Sequence, residues 1–232
     1  MTRMCANYTP ATREQLREHF HVAPPDDAFA AEAFPGSQGP IIRLRHEATQ
    51  SGQMEAVTAC FGMVPHWADM KLARSTYNAR TETVASKPSF RHAYRHRQFC
   101  VIPVAAIYEP NYETGKAVRW KIASTDGRPL GLAGIWEYRA DGPEGAGLTS
   151  FSMLTMNADG HPLMQRFHKP DDEKRMVVVL EPEQYESWLH ASLAQAPGFF
   201  VPYPASGLSA TPAPLQRASR SPPPSTASLF PG

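Results

Sequence analysis

Cys5 follows Met4 almost at the start of the chain. Where translation begins at Met4, or the first four residues are removed, Cys5 carries a free α-amine beside its thiol. Such a 1,2-aminothiol condenses with aldehydes: the amine forms an imine, and the sulfur then closes a five-membered thiazolidine. The α-amine titrates at about 8 and the thiol at about 8.5, so reactive forms of both exist at neutral pH. Closure is intramolecular and gains the advantage of proximity. The bland alternative is an ordinary cysteine in a frayed terminus.

Other chemistry-bearing residues are fewer. Cys60 precedes Phe61-Gly-Met-Val and Cys100 sits inside an apolar run, so both read as small core residues with inert thiols. Three widely spaced cysteines without Cys-x-x-Cys give no basis for a disulfide framework or a thiolate metal site. His92 and His96 have the i, i+4 spacing of a metal pair, but no Glu follows the first and no third ligand suggests itself. No metal and no cofactor are expected. From Lys71 to Arg97 the chain carries Lys71, Arg74, Arg80, Lys87, Arg91, Arg95 and Arg97 against the single acid Glu82. Trp67, Tyr77, Phe90 and Tyr94 are interleaved or adjacent, as in surfaces that follow phosphates and stack on unpaired bases. A solvated helix face is the competing reading.

These residues must be positioned by a fold that the patterning predicts to be α+β and rich in strands. Thr12 with Gln15 forms a capping box before a helix carrying Leu16 and Phe20. A Pro- and Gly-rich loop follows from Pro24, and Pro40 to His46 alternates as a strand. Phe99 to Tyr108 reads as buried β-structure, with Pro103 marking an edge or a bulge. Val118 to Ile122, the turn Thr125-Asp-Gly-Arg128 and Leu130 to Tyr138 predict a hairpin. Thr149 to Met156 and Met176 to Leu180 are further strands, and Pro182 opens a short helix bearing Tyr185, Trp188 and Leu189. Residues 216–232 contain Pro222-Pro-Pro224 and no acid, which predicts a disordered Pro/Ser-rich tail.

The 232 residues fit one domain with a tail, and 42% apolar content supplies a core. No run of about 18 apolar residues could span a bilayer, and no signal peptide is recognisable, so a cytoplasmic protein without membrane association is expected. The net charge of +1 selects no partner, so any nucleic-acid footprint must come from clustering.

Met4-Cys5-Ala-Asn-Tyr, Phe61-Gly-Met-Val-Pro-His-Trp67-Ala, Asn78-Ala-Arg80-Thr-Glu82-Thr, Pro88-Ser-Phe90, Ile107-Tyr-Glu109, Thr155-Met-Asn157 and Phe167-His168 occur in one order. In that combination the chain, from Met4 to Leu215, resembles the SRAP proteins, the SOS-response-associated peptidases or abasic-site-processing proteins. The resemblance implies one SRAP-like domain over residues 4–215, with a few short helices, that binds single-stranded DNA. It implies a covalent thiazolidine between the N-terminal cysteine and the ring-opened sugar of an abasic site, during the response to DNA damage. The expected partner is single-stranded DNA containing an abasic site, and the expected state is monomeric.

Residue by residue, Cys5 matches the nucleophile and Asn78 the residue that holds the abasic sugar beside it. Glu109 matches the acid–base group near the terminal amine, and His168 the group that assists ring opening by delivering a proton to the ring oxygen. Arg80 is expected to contact a phosphate, Trp67 to form an apolar wedge or platform, and Asn7, Arg74 and Thr155 to complete the DNA-binding set. The chain also departs from the family pattern. Cys5 is the fifth residue rather than the second, and Ala6-Asn7 stands where Gly-Arg is usual. Pro110 replaces the Trp that normally follows Tyr-Glu, and Lys169 to Lys174 are inserted after His168. Two other readings use the same residues: a thiol autopeptidase or peptidase built on Cys5, His168 and Glu109, and a non-catalytic single-strand binder.

Overall fold

A computed structural model describes residues 6–45, 52–142 and 145–215. Cys5, His46 and the tail 216–232 lie outside the described residues. The strands are β1 (Asn7–Pro10), β2 (Gln38–Leu44), β3 (Met54–Phe61), β4 (Asn78–Arg80), β5 (Phe99–Asn111), β6 (Val118–Ser124), β7 (Leu130–Arg139), β8 (Leu148–Asn157), β9 (Arg175–Val177), β10 (Val179–Leu180) and β11 (Leu208–Pro212). The α-helices are α1 (Arg13–Phe20), α2 (Arg91–Arg95) and α3 (Tyr185–His190). Strands dominate, as the patterning predicts. No helix among the described residues is long and apolar enough to cross a membrane.

Pairing runs from β7 to β8, β3, β2 and β5, and β5 returns to β7, so these strands close a ring. All neighbours in it are antiparallel except β3 and β8. Ile41, Phe61, Ile102, Leu132 and Phe151 send side chains from every strand of the ring into one core. The alternate residues Ile42, Val101, Ala133 and Leu154 face a second core, closed by Leu16 and Phe20 of α1 and by Tyr185 and Trp188 of α3. Phe99 stacks on Trp188 at 4.3 Å and Phe20 on Tyr185 at 5.4 Å. Period-two alternation therefore sorts the apolar residues between ring interior and helix layer. Thr12 caps α1 with the reciprocal Gln15 bonds of a capping box.

The hairpin expectation fails in an instructive way. β1 faces both Val104, which also pairs with Leu130 of β7, and Ile107, which also pairs with Ile122 of β6. Hence β6 and β7 lie end to end along one edge of the 13-residue β5, both antiparallel to it. The turn at Asp126 and Gly127 offsets the chain without reversing it. Pro103 is likewise not on an edge strand, because β5 is paired on both sides. It lies two residues before a bulge at Ala105, where Thr9 pairs with Ala106 but Pro10 with Val104.

That bulge decides which face of β5 Glu109 takes. Before it, even-numbered residues (Cys100, Ile102, Val104) face the ring interior; after it, Ile107 does. One extra residue exchanges the two faces of a strand. Glu109 shares the face of Ile107 and is buried, at 2% exposure.

Elements absent from the sequence reading are β1, β3, β4 and β11. The strand read as Met176 to Leu180 is split, since β9 pairs with β8 and β10 with β7. Beyond β3, Gly62 has φ 113° and an added Cβ would stand 2.2 Å from the carbonyl oxygen of Ala73. Gly62→Ala should therefore cost at least about 1–2 kcal/mol from backbone conformation alone. Urea unfolding checks this, and an unchanged midpoint would refute it.

Candidate DNA-processing site

Glu109 is delivered by β5 and His168 by the segment after the 3-10 turn Met164–Arg166. The two are brought together by the bridge between Asn111 and Phe167 and by the bond from the His168 amide to the Pro110 carbonyl (2.8 Å). Asn111 Nδ2 adds a bond to the Arg166 carbonyl. His168 takes a left-handed conformation, φ 65°, which is uncommon for a residue with a Cβ. Its Nδ1 lies 3.8 Å from Glu109 Oε2, with both side chains almost wholly buried. Its Nε2 lies 3.4 Å from the carbonyl oxygen of Arg175. Burial, opposed by that carbonyl and reinforced by the Lys174 charge, holds the imidazole below its usual range. At neutral pH the ring is therefore uncharged and suited to accept a proton.

Arg175 is the hub between this pair and the basic segment. It is 1% exposed; its Nη1 and Nη2 reach Glu82 Oε1 (3.1 Å) and Oε2 (2.9 Å). It also donates to Glu173 Oε1 (2.6 Å) and to the Thr155 carbonyl (2.8 Å). Burial works to raise the Glu82 pKa, but the Arg175 hydrogen bond and charge outweigh it and hold the carboxyl below its ordinary value. Glu82 follows β4 directly, so Arg175 fastens the Asn78–Arg80 strand to β8. There Asn78, Ala79 and Arg80 pair in parallel with Met153, Leu154 and Thr155.

Arg80 is half-exposed and pairs with Glu173 at 2.8 Å. Asn78 and Arg80 line a cleft of about 520 Å³ with Ser75, Thr83, Lys87 and Phe90. His168 lines a second cleft, of about 440 Å³, with Tyr112, Arg166, Pro170 and Lys174. Arg74 is exposed on the 3-10 turn Met70–Ser75. Thr155 is fully buried and offers no surface to DNA; its carbonyl accepts from Arg175, and it pairs with Arg80 across β8 and β4. Asn7 is buried and donates to Glu32, which also binds Arg119; Arg119 in turn lies 3.4 Å over the Tyr108 ring.

Trp67 stands 57% exposed. Its segment is fixed by the bond from Val64 N–H to Ser150 Oγ (3.0 Å) and by Arg139 Nη1 donating to the Ala68 carbonyl (2.7 Å). The other aromatic residues of the basic stretch do not serve as exposed platforms. Tyr77 and Tyr94 are core residues, and Phe90 is nearly buried at the cleft wall, because short elements here turn their apolar residues inward. The stretch is not one helix face either: a 3-10 turn, β4 and the five-residue α2 share it. His92 Nδ1 and His66 Nδ1 approach Glu137 Oε1 at 3.5 and 3.8 Å, tying α2 to the Trp67 segment. Among the described residues no group of three His, Cys, Asp or Glu side chains is placed to hold a metal ion. Cys60 and Cys100 are buried, and burial pushes the Cys60 thiol up to about 11.

Sequence reasoning missed the Arg175 hub and its partner Glu173. Glu82 was visible in the Asn-Ala-Arg-x-Glu run, and a lone acid in a basic stretch is the signal that calls for such a cation.

The family description "SOS response associated peptidase (SRAP)" matches residues 4–215. The protein described as abasic site processing protein YoqW, from Bacillus subtilis, is 30% identical over 132 residues, 56% of this chain and 55% of the relative. YobE of the same organism, also described as an abasic site processing protein, is 30% identical over 132 residues, 56% of each chain. The chain thus aligns with about half the length of these curated relatives. A crystal structure from Bordetella bronchiseptica has a TM-score of 0.81 at 36% identity, covering 91% of this chain and 100% of that one. One from Bacteroides thetaiotaomicron has a TM-score of 0.73 at 21% identity, covering 89% and 90%, and shares the fold. Fold, ordered motifs and a match spanning nearly the whole described chain agree, and the chain belongs to the SRAP family.

Proposed function

We propose that the protein binds single-stranded DNA at an abasic site and joins Cys5 to the opened deoxyribose as a thiazolidine. The observation that carries this reading is the buried Glu109–His168 pair at the start of β1. Asn7, the first residue of β1, pairs with Tyr108, the neighbour of Glu109 in β5. Cys5 precedes Asn7 by two residues. The names of the relatives supply the substrate class.

The abasic sugar is a cyclic hemiacetal. A neutral His168 takes the proton of its C1′ hydroxyl, the C1′–O4′ bond breaks, and O4′ is protonated to leave an aldehyde. The Cys5 amine adds to C1′. Glu109 passes a proton to the resulting hydroxyl, which leaves as water, and its carboxylate takes the proton from nitrogen, giving the imine. The Cys5 sulfur then bonds to C1′, its proton ends on nitrogen, and the ring is closed. Asn78 holds the sugar, and Arg80 binds a neighbouring phosphate. Trp67 offers an apolar face to flanking bases.

The test incubates purified protein with a single-stranded abasic oligonucleotide, followed by a denaturing gel and intact-mass measurement. A heat-stable adduct on a protein beginning at Cys5 is expected. An adduct on protein retaining Thr2 at its terminus would refute the thiazolidine route, since the Cys5 nitrogen is then an amide. Native shifts without adduct would favour a non-catalytic binder, and peptide cleavage without adduct a thiol peptidase.

Arg80→Ala should weaken binding to single strands and flatten its salt dependence by about 0.7 in the log–log slope, one phosphate contact's worth. Anisotropy titrations at several salt concentrations read this. An unchanged slope in a folded variant assigns Arg80 to the scaffold.

A further inference from the structure

Glu173 belongs to the stretch Lys169–Lys174 that separates His168 from Arg175. Its two carboxylate oxygens serve different cations: Oε1 lies 2.6 Å from Arg175 Nη1, and Oε2 lies 2.8 Å from Arg80 Nη1. The stretch holds it there. Lys174 N–H donates to Asp159 Oδ1 at 3.2 Å, and Lys174 Nζ donates to the Lys169 and Phe167 carbonyls at 2.7 and 3.1 Å. Asp172 N–H returns to the Lys169 carbonyl at 3.1 Å, and Asn157 Nδ2 reaches Glu173 Oε1 at 3.5 Å.

An anion is thus built into the place that the functional reading gives to a DNA phosphate. Because Arg175 retains the other oxygen, Glu173 can release Arg80 without leaving its seat. We propose that Glu173 sets DNA selectivity by competing with the phosphate for Arg80, so that undamaged single strands are held weakly. This rests on the reading of Arg80 as a phosphate contact. A phosphate that takes Arg80 leaves the Glu173 carboxylate short of one cation, and the two anions repel at close range. The covalent step makes the lesion insensitive to this loss, whereas undamaged DNA has no such step and dissociates.

The sign of the effect separates this role from its opposite, in which Glu173 holds Arg80 ready for DNA. Anisotropy with a labelled undamaged single strand is measured for the full chain, Glu173→Gln, Arg80→Ala and the double variant at several salt concentrations. Glu173→Gln is expected to bind about 3- to 10-fold tighter, at and just beyond the upper end of what one exposed ion pair is worth. Its log–log salt slope steepens by up to about 0.7, because Arg80 no longer exchanges one anion for another. With Arg80→Ala in place, Glu173→Gln changes binding less than twofold. Asp171→Asn, which removes equal charge from the same stretch, also changes it less than twofold. Equal or weaker binding by Glu173→Gln overturns the proposal, and so does a gain that survives Arg80→Ala. A parallel denaturing gel with an abasic strand keeps the two levels apart. A parental protein that crosslinks while Glu173→Gln gains nothing sinks only this inference; one that neither binds nor crosslinks sinks the functional reading with it.

Discussion

Glu109→Gln and His168→Asn should each slow thiazolidine formation about 10- to 1000-fold while leaving affinity for undamaged single strands within twofold. The two side chains are nearly inaccessible and 3.8 Å apart, so their contribution to DNA affinity is small and their contribution to proton movement large. Gln keeps the shape of Glu109 without its titrating proton. Asn is the better replacement for His168 because it tolerates the left-handed backbone, φ 65°, that the position demands. Protonation of the Cys5 amine slows the reaction below about 8, and protonation of His168 should add a second, steeper acidic limb below the ordinary imidazole range. His168 must be neutral to act as a base, and burial shifts its protonation to still lower pH. His168→Asn should lose that second limb and keep the one set by the Cys5 amine, and Glu109→Gln should keep both. Time courses with and without borohydride separate the steps, since Cys5→Ala can still leave a reducible imine but no thiazolidine. If both variants react at the parental rate, Cys5 acts by proximity alone.

Arg175→Met should destabilise the fold by about 2–3 kcal/mol. Removing one member of a buried ion pair costs about 3–5 kcal/mol when the partner stays buried. Here Glu82 and Glu173 retain 47% and 36% side-chain exposure, so water can take over part of the lost solvation. What cannot be replaced is the bond to the Thr155 carbonyl and the bidentate grip on Glu82. The same variant should weaken DNA binding, because β4 loses the clamp that presents Asn78 and Arg80. Urea unfolding and anisotropy test this together; a loss below about 0.5 kcal/mol would make the hub dispensable.

Local signals were legible in the sequence wherever the determinant is local. The capping box of α1 needs only Thr12 and Gln15, and the continuous apolar run of β5 announces a buried strand. The false hairpin shows the limit: Asp126-Gly127 specifies a bend, but whether the flanking strands pair with each other depends on β5, which is long enough to accommodate both. β3 (Met-Glu-Ala-Val-Thr-Ala-Cys-Phe) has too few β-branched residues to declare itself, and β11 lies in Pro- and Ser-containing sequence. Both owe their conformation to partners. In the site, Glu109 was visible as one charge in an apolar run. The Arg175–Glu82 pair spans 93 positions, and Glu173 lies in a stretch whose value comes only from what it meets in space.

The bulge at Ala105 gives β5 something like a reading frame. A one-residue deletion or insertion between Val104 and Ile107 would turn the carboxylate away from the ring interior while preserving every residue that motif comparison looks for. Such a chain would still match the family motifs and would have lost the carboxylate proposed as the acid–base group. On the proposed mechanism, the number of residues between Pro103 and Tyr108-Glu109 matters to the site as much as the glutamate itself.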